Sequence, residues 1–142
     1  MKKPVEVIQG DKSLRLSLYI VVSSYLLLVL LIEPAIDFVL VSFVEHKNPA
    51  SIEFVNKLKL IVSTLIYSVL ALIPTLFTAW YGYRMIASSK IPPVLKQGET
   101  RFPFTVVVIK GKAAKMFGVL LIVVSFVLIF QMLVTSIKTI IS

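Results

Sequence analysis

Three long apolar runs punctuate the polar positions of this chain: Leu16 to Ile32, Leu60 to Tyr83 and Met116 to Ile137. Each is near or above the roughly 20 residues a helix needs to cross a ~30 Å hydrocarbon core, and a helix satisfies its backbone polar groups within such a run. The pattern predicts an all-α membrane protein, a single membrane domain over residues 1–142, with transmembrane helices at about 15–36, 59–84 and 115–137. The first two helices are expected to form a long antiparallel hairpin, because apolar residues continue past the first span through Ile36, Phe38, Val39, Leu40, Val41, Phe43 and Val44. Asn48-Pro49 then supplies an N-cap and a proline at the first helical position. A turn centred near Lys47 brings Asp37 opposite Lys57, and Glu33 within reach of Lys57 or Lys59.

The second connection, about 87–112, is long for a link between helices. Ile91-Pro92-Pro93 cannot continue a helix. Beyond Gly98, the β-branched and aromatic stretch Phe104 to Ile109 reads as a short β segment in this loop, with Pro103 at its edge and Gly111 ending it.

Charge orients the spans. Eleven of the fifteen Lys and Arg residues precede the first run or lie between the second and third, leaving four on the other side. The positive-inside rule then places the amino terminus and the second loop in the cytoplasm and the carboxyl terminus outside. Trp80, Tyr81 and Tyr83 beside Arg84 read as an interfacial aromatic belt. Lys2, Lys3, Lys12 and Arg15 before the first run could also open a signal peptide, but Glu33-Pro34 stands where a small-residue cleavage motif would be, so an uncleaved anchor is expected.

Composition agrees. Hydrophobic residues make up 58% of the 142, charged residues only 15%, and the mean hydropathy is +0.96, a balance foreign to water-soluble domains. The net charge of +8 flanks apolar runs instead of forming a patch with interleaved aromatics, so nucleic acid is not an expected partner. The chain has no cysteine, which removes thiolate chemistry and disulfides. His46, the single histidine, sits in a turn string with no second ligand of its kind, and no metal or other cofactor is expected.

Within the spans the clearest pattern is a small-residue seam on the second helix: Thr64, Ser68, Ala71, Thr75, Thr78 and Gly82, spaced alternately by four and three. Such a seam permits close helix approach, either within a three-helix bundle or against another subunit. The first helix offers Ser13, Ser17 and Ser24, the third Ala114, Gly118 and Ser125. Pro74 removes a backbone donor and frees the Leu70 carbonyl; Thr75 and Thr78 are candidate hydroxyls to satisfy it. Glu33 and Asp37, one helical turn apart near the outer interface, are either an ion or proton site or partners of the hairpin lysines. Gln131 lies deeper, placed to hydrogen-bond across helices. Arg84, Lys90, Lys110, Lys112 and Lys115 are candidate contacts for anionic lipid headgroups, or serve orientation alone.

The string Tyr83-Arg84, Pro92-Pro93, Gly98, Arg101, Thr105-Val106, Gly111-Lys112-Ala113 and Gly118 resembles small uncharacterised bacterial inner-membrane proteins that carry a Pro-Pro and Gly cytoplasmic loop between two helices. The likeness covers about Trp80 to Gly118 and departs at Val94-Leu95-Lys96-Gln97, which spreads the loop's elements apart. It implies a bacterial inner membrane and no known activity.

With no paired buried acids, nucleophile triad or phosphate loop in view, the expected function is that of a non-enzymatic accessory or scaffold subunit. Its partners are the lipid bilayer and another membrane protein, or a second copy of itself. The alternative is an oligomeric small transporter or channel using Glu33 and Asp37, with Pro74 as hinge.

Overall fold

The computed structural model describes residues 5–42, 49–94 and 101–141. The turn near Lys47, with His46 and the Asn48 cap, lies outside the described residues, as do Lys96 and Gly98. Three helices dominate, α1 (Lys12–Val41), α2 (Pro49–Ser88) and α3 (Lys112–Ile141). All three are long and apolar enough to cross a membrane. Large side chains such as Leu26, Leu30, Phe126 and Phe130 point outward and stay exposed, an arrangement that suits lipid and would be an aggregation hazard in water.

Polar residues mark the same slab on each helix. At ~1.5 Å per residue, Arg15 to Glu33, Lys59 to Arg84 and Lys115 to Lys138 span roughly 27, 37 and 35 Å, close to the thickness of a hydrocarbon core. The helices overrun that slab. Beyond it α1 and α2 continue as an antiparallel hairpin with its own small core of Ile36, Leu40 and Val55, flanked by Ile32, Leu58 and Val62. Asp37 pairs there with Lys59 at 2.6 Å, two residues along from the Lys57 that a turn at Lys47 predicts.

α1 begins at an N-cap, Asp11, whose carboxylate accepts hydrogen bonds from the amides of Ser13 (2.9 Å) and Leu14 (3.4 Å), two donors the helix itself leaves orphaned. α2 ends where Ser89 turns left-handed at φ 52°, directly before the Ile91-Pro92-Pro93 run. Gly111, at φ +78°, donates its amide to the Ser89 carbonyl at 2.9 Å and opens α3. The second loop is thus closed at its base.

The strand content differs from a single strand over Phe104 to Ile109. That stretch holds two short strands paired to different partners. β1 (Val7–Ile8) pairs antiparallel with β3 (Val106–Val107), and β2 (Lys90–Ile91) with β4 (Ile109–Lys110). The amino-terminal segment is therefore a strand of the loop subdomain, and both lie at one end of the helices, called here the β end. Further bonds fasten it: Asp11 N to Phe102 O at 2.9 Å, Val108 N to Glu6 O at 2.9 Å and Gly10 N to the Thr105 hydroxyl at 3.0 Å.

Glu6 completes this clasp. Lys90 and Lys110 face each other directly across β2 and β4, a like-charge pairing that opposes the ladder. Glu6 sits between them, bonded to Lys110 and 3.9 Å from Lys90. The hydrogen bond from Lys110, reinforced by the charges of both lysines, lowers the Glu6 pKa below the usual carboxylate value despite some opposing desolvation. A carboxyl group whose pKa falls on folding stabilises the folded form above its unfolded pKa, and that contribution vanishes as pH drops through the lowered value. Acidification below the ordinary carboxylate range should therefore loosen β1, which its backbone pairing still holds, while the helices persist. The protection factor of the Val108 amide, its exchange rate relative to the intrinsic rate at the same pH, should fall there in the wild type, and Glu6→Gln should show the lower protection already at neutral pH. A protection factor at Val108 that does not change with pH in the wild type would remove the clasp.

Candidate functional site

The helices form an open arrangement centred on α2. α3 lies along it, α1 touches it more sparingly, and α1 and α3 make no close backbone approach to each other among the described residues. Of the two uses expected of the small-residue faces, within a three-helix bundle or against another subunit, the α1 face makes no backbone contact with α3 among the described residues, and its Ser17 and Ser24 are exposed.

α2 and α3 meet through glycine. A Cβ placed on Gly118 would lie 2.6 Å from the Gly82 carbonyl oxygen, and one on Gly82 would lie 2.7 Å from the Gly118 oxygen. The crossing is thus as close as two backbones permit, the use to which small residues are put in lipid. Ala114 and Ser125 continue the α3 side at 0% and 1% exposure, and Thr75 on α2 is buried. Their hydroxyls turn back onto their own helices, Thr75 to Ala71 O at 2.7 Å and Ser125 to Leu121 O at 2.8 Å, as does Thr78 to Pro74 O at 2.7 Å. A cross-helix bond joins the Ser68 and Ser136 hydroxyls at 2.9 Å.

Because α1 and α3 stand apart, a cleft of about 600 Å³ opens between them with α2 as its floor. Four seam residues, Thr64, Ser68, Ala71 and Thr75, line it together with Tyr67 and Pro74; α3 contributes Leu128, Gln131, Met132 and Thr135, and α1 contributes Tyr25. The other two seam residues lie nearer the β end, with Gly82 under Gly118. Tyr25 donates its hydroxyl to the Leu70 carbonyl at 2.9 Å, the acceptor that Pro74 leaves without its helical donor. The freed group is thus satisfied from the neighbouring helix, and neither Thr75 nor Thr78 serves it. Gln131 faces the cleft without a hydrogen-bond partner among the described residues.

The remaining candidates lie at the two ends. At the hairpin end Glu33 and Asp37 are exposed, Asp37 held by Lys59. At the β end Lys90 and Lys110 converge on Glu6, Arg84 stands over the Trp80 ring at 5.9 Å, and Lys112 and Lys115 are exposed on the first turns of α3. Sequence reasoning passed over Tyr25, Glu6 and Ser136. Tyr25 had a signal, since antiparallel helices turning near Lys47 place it beside Leu70 and Pro74. Glu6 had none, because its partners lie in a loop some 85 to 105 residues away.

Three apolar helices with outward-facing side chains, joined at one end by a small β clasp, have the build of a multi-pass helical membrane protein. No protein-family model matches the chain, and no curated protein or solved structure matches it either.

Proposed function

We propose that this chain is a non-enzymatic accessory or scaffold subunit of a bacterial inner-membrane assembly, and that the cleft between α1 and α3 receives the flank of a partner protein's transmembrane helix. Gln131 carries this reading. Counted from Lys115 it lies ~24 Å along α3, inside the apolar slab, where acyl chains offer an amide nothing to bond and the cost falls on the free subunit. Thr64, Tyr67 and Thr135 line the same cleft, so a helix bearing hydrogen-bonding side chains would satisfy several groups at once. The cation excess at the β end supports a cytoplasmic location for the amino terminus and the second loop, with the carboxyl terminus outside.

The absence of native cysteine makes the test direct. A single cysteine carrying a photocrosslinker in place of Leu128, which lines the cleft one turn from Gln131, should yield an adduct with one membrane protein in native membranes, whereas the same label at the outward-facing Leu133 should not. Gln131→Leu should weaken recovery of that partner roughly 3- to 20-fold, the range given by interhelical hydrogen bonds in bilayers. Labelling by lipid alone, with the protein extracted as a monodisperse monomer, would sink the proposal; an adduct of twice the chain's own mass would make the partner a second copy.

A further inference from the structure

We propose that a second groove, at the β end, is a binding site for one acidic phospholipid, with the acyl chain inside and the phosphate at its mouth. The groove encloses about 510 Å³ between the start of α1, the end of α2 and the second loop. Its inner walls are Leu18 and Val21 of α1, Phe77 of α2 and the loop rings of Phe102 and Phe104, with Arg101 at the loop edge. Leu18, Val21 and Phe77 remain 39%, 65% and 60% exposed, so the protein leaves this apolar trough for something else to cover. The α1 side, from Leu14 to Val21, is ~10 Å long, about two thirds of a ~15 Å leaflet.

The polar end is cationic. Arg15 stacks on Phe104, its guanidinium carbon 5.4 Å from the ring centroid, and spends its Nε hydrogen on the Pro103 carbonyl at 3.2 Å. Its two terminal nitrogens have no partner among the described residues, which leaves a fork suited to phosphate oxygens. Lys12 lies one turn earlier on the same helix, and the nearby acid, Asp11, is committed to the first amides of α1. The loop wall is held in place by the Asp11–Phe102 and Gly10–Thr105 bonds, so the trough exists before a ligand arrives, the condition under which small sites bind well. A largely apolar tail slot, with Ser17 and Tyr81 among its lining, under a cationic mouth at the level where the helices leave the hydrocarbon, matches the division of an acidic phospholipid into tail and head.

Native mass spectrometry of the full chain, extracted in detergent and supplied with lipids of identical chains, tests this. Phosphatidylglycerol should be retained at one molecule per chain and outcompete phosphatidylcholine by roughly 30-fold, as two cations near a lipid phosphate should provide. Arg15→Gln combined with Lys12→Gln should bring the two lipids to equal retention. Val21→Trp, which fills the slot from a lipid-facing position, should abolish retention of both while leaving the far-ultraviolet circular dichroism unchanged. Equal retention of both lipids by the wild type, or undiminished phosphatidylglycerol binding by Val21→Trp, would overturn the proposal. Palmitate held as tightly as phosphatidylglycerol would make the ligand a fatty acid and overturn it too.

Discussion

Gly118→Ala should destabilise the protein by about 1 to 3 kcal/mol, the cost of forcing a methyl group into a filled contact, and Gly118→Leu by more. The cause is local and backbone-borne. The new Cβ would lie 2.6 Å from the Gly82 carbonyl oxygen and 3.2 Å from the Ile86 amide nitrogen, neither of which can rotate away; only the third neighbour, Ile86 Cγ1 at 2.8 Å, belongs to a side chain. Relief requires α3 to lift off α2, and that lift spoils the contacts of Ala114 and Ser125, which are buried on the same α3 face. Gly82→Ala should behave alike, since its Cβ would meet the Gly118 oxygen at 2.7 Å. The double variant should cost less than the sum of the two, because one displacement of the helix accommodates both methyls. Thermal unfolding in detergent micelles reads all three, with Val123→Ala on the lipid-facing side as a control. A Gly118→Ala protein that melts with the wild type would mean that the two helices do not cross so closely.

The crossing also shows what kind of information the chain carries openly. Ala114, Gly118 and Ser125 could be read as one face because helical periodicity is a property of neighbouring residues, and so could the limits of the three spans, where apolar runs meet Arg15, Lys59, Arg84 and Lys115. The antiparallel hairpin was legible for the same reason. Pairing between distant segments was not. Phe104 to Ile109 announces β structure through its branched side chains, but a two-residue strand such as Val7–Ile8 has no period, and nothing local ties it to Val106–Val107. Lys90 and Lys110 could be assigned a charge and an end of the molecule; that they face each other, with Glu6 between them, follows only once the strands are paired. The open arrangement of α1 and α3 was hidden too, because a serine face permits close packing without requiring it, and α1 is instead fastened at its ends by the clasp and the hairpin.

Between those ends the Tyr25 hydroxyl on the Leu70 carbonyl is the polar bond that holds α1 to α2 in the apolar slab among the described residues, and its value should depend on Pro74. In the wild type, Tyr25→Phe leaves a carbonyl with neither its helical donor nor its tyrosine, surrounded by hydrocarbon, and should cost about 1 to 2 kcal/mol. In Pro74→Ala the backbone nitrogen of residue 74 can donate to Leu70 as in any α-helix. Removing the tyrosine hydroxyl then deletes a second bond to an acceptor that keeps its first, so Tyr25→Phe should cost less, by about 1 kcal/mol. The cycle isolates this coupling because Tyr25→Phe keeps the ring and its packing, and any effect of Pro74→Ala on the helix itself appears equally in both arms. The same variants report on the cleft, since Tyr25 lines it. A pair of spin labels on α1 and α3 should broaden its distance distribution in Tyr25→Phe and narrow again when Pro74→Ala is added. Equal costs of Tyr25→Phe in both backgrounds would mean that the tyrosine holds α1 by its ring alone, and that the proline-freed carbonyl finds its donor elsewhere.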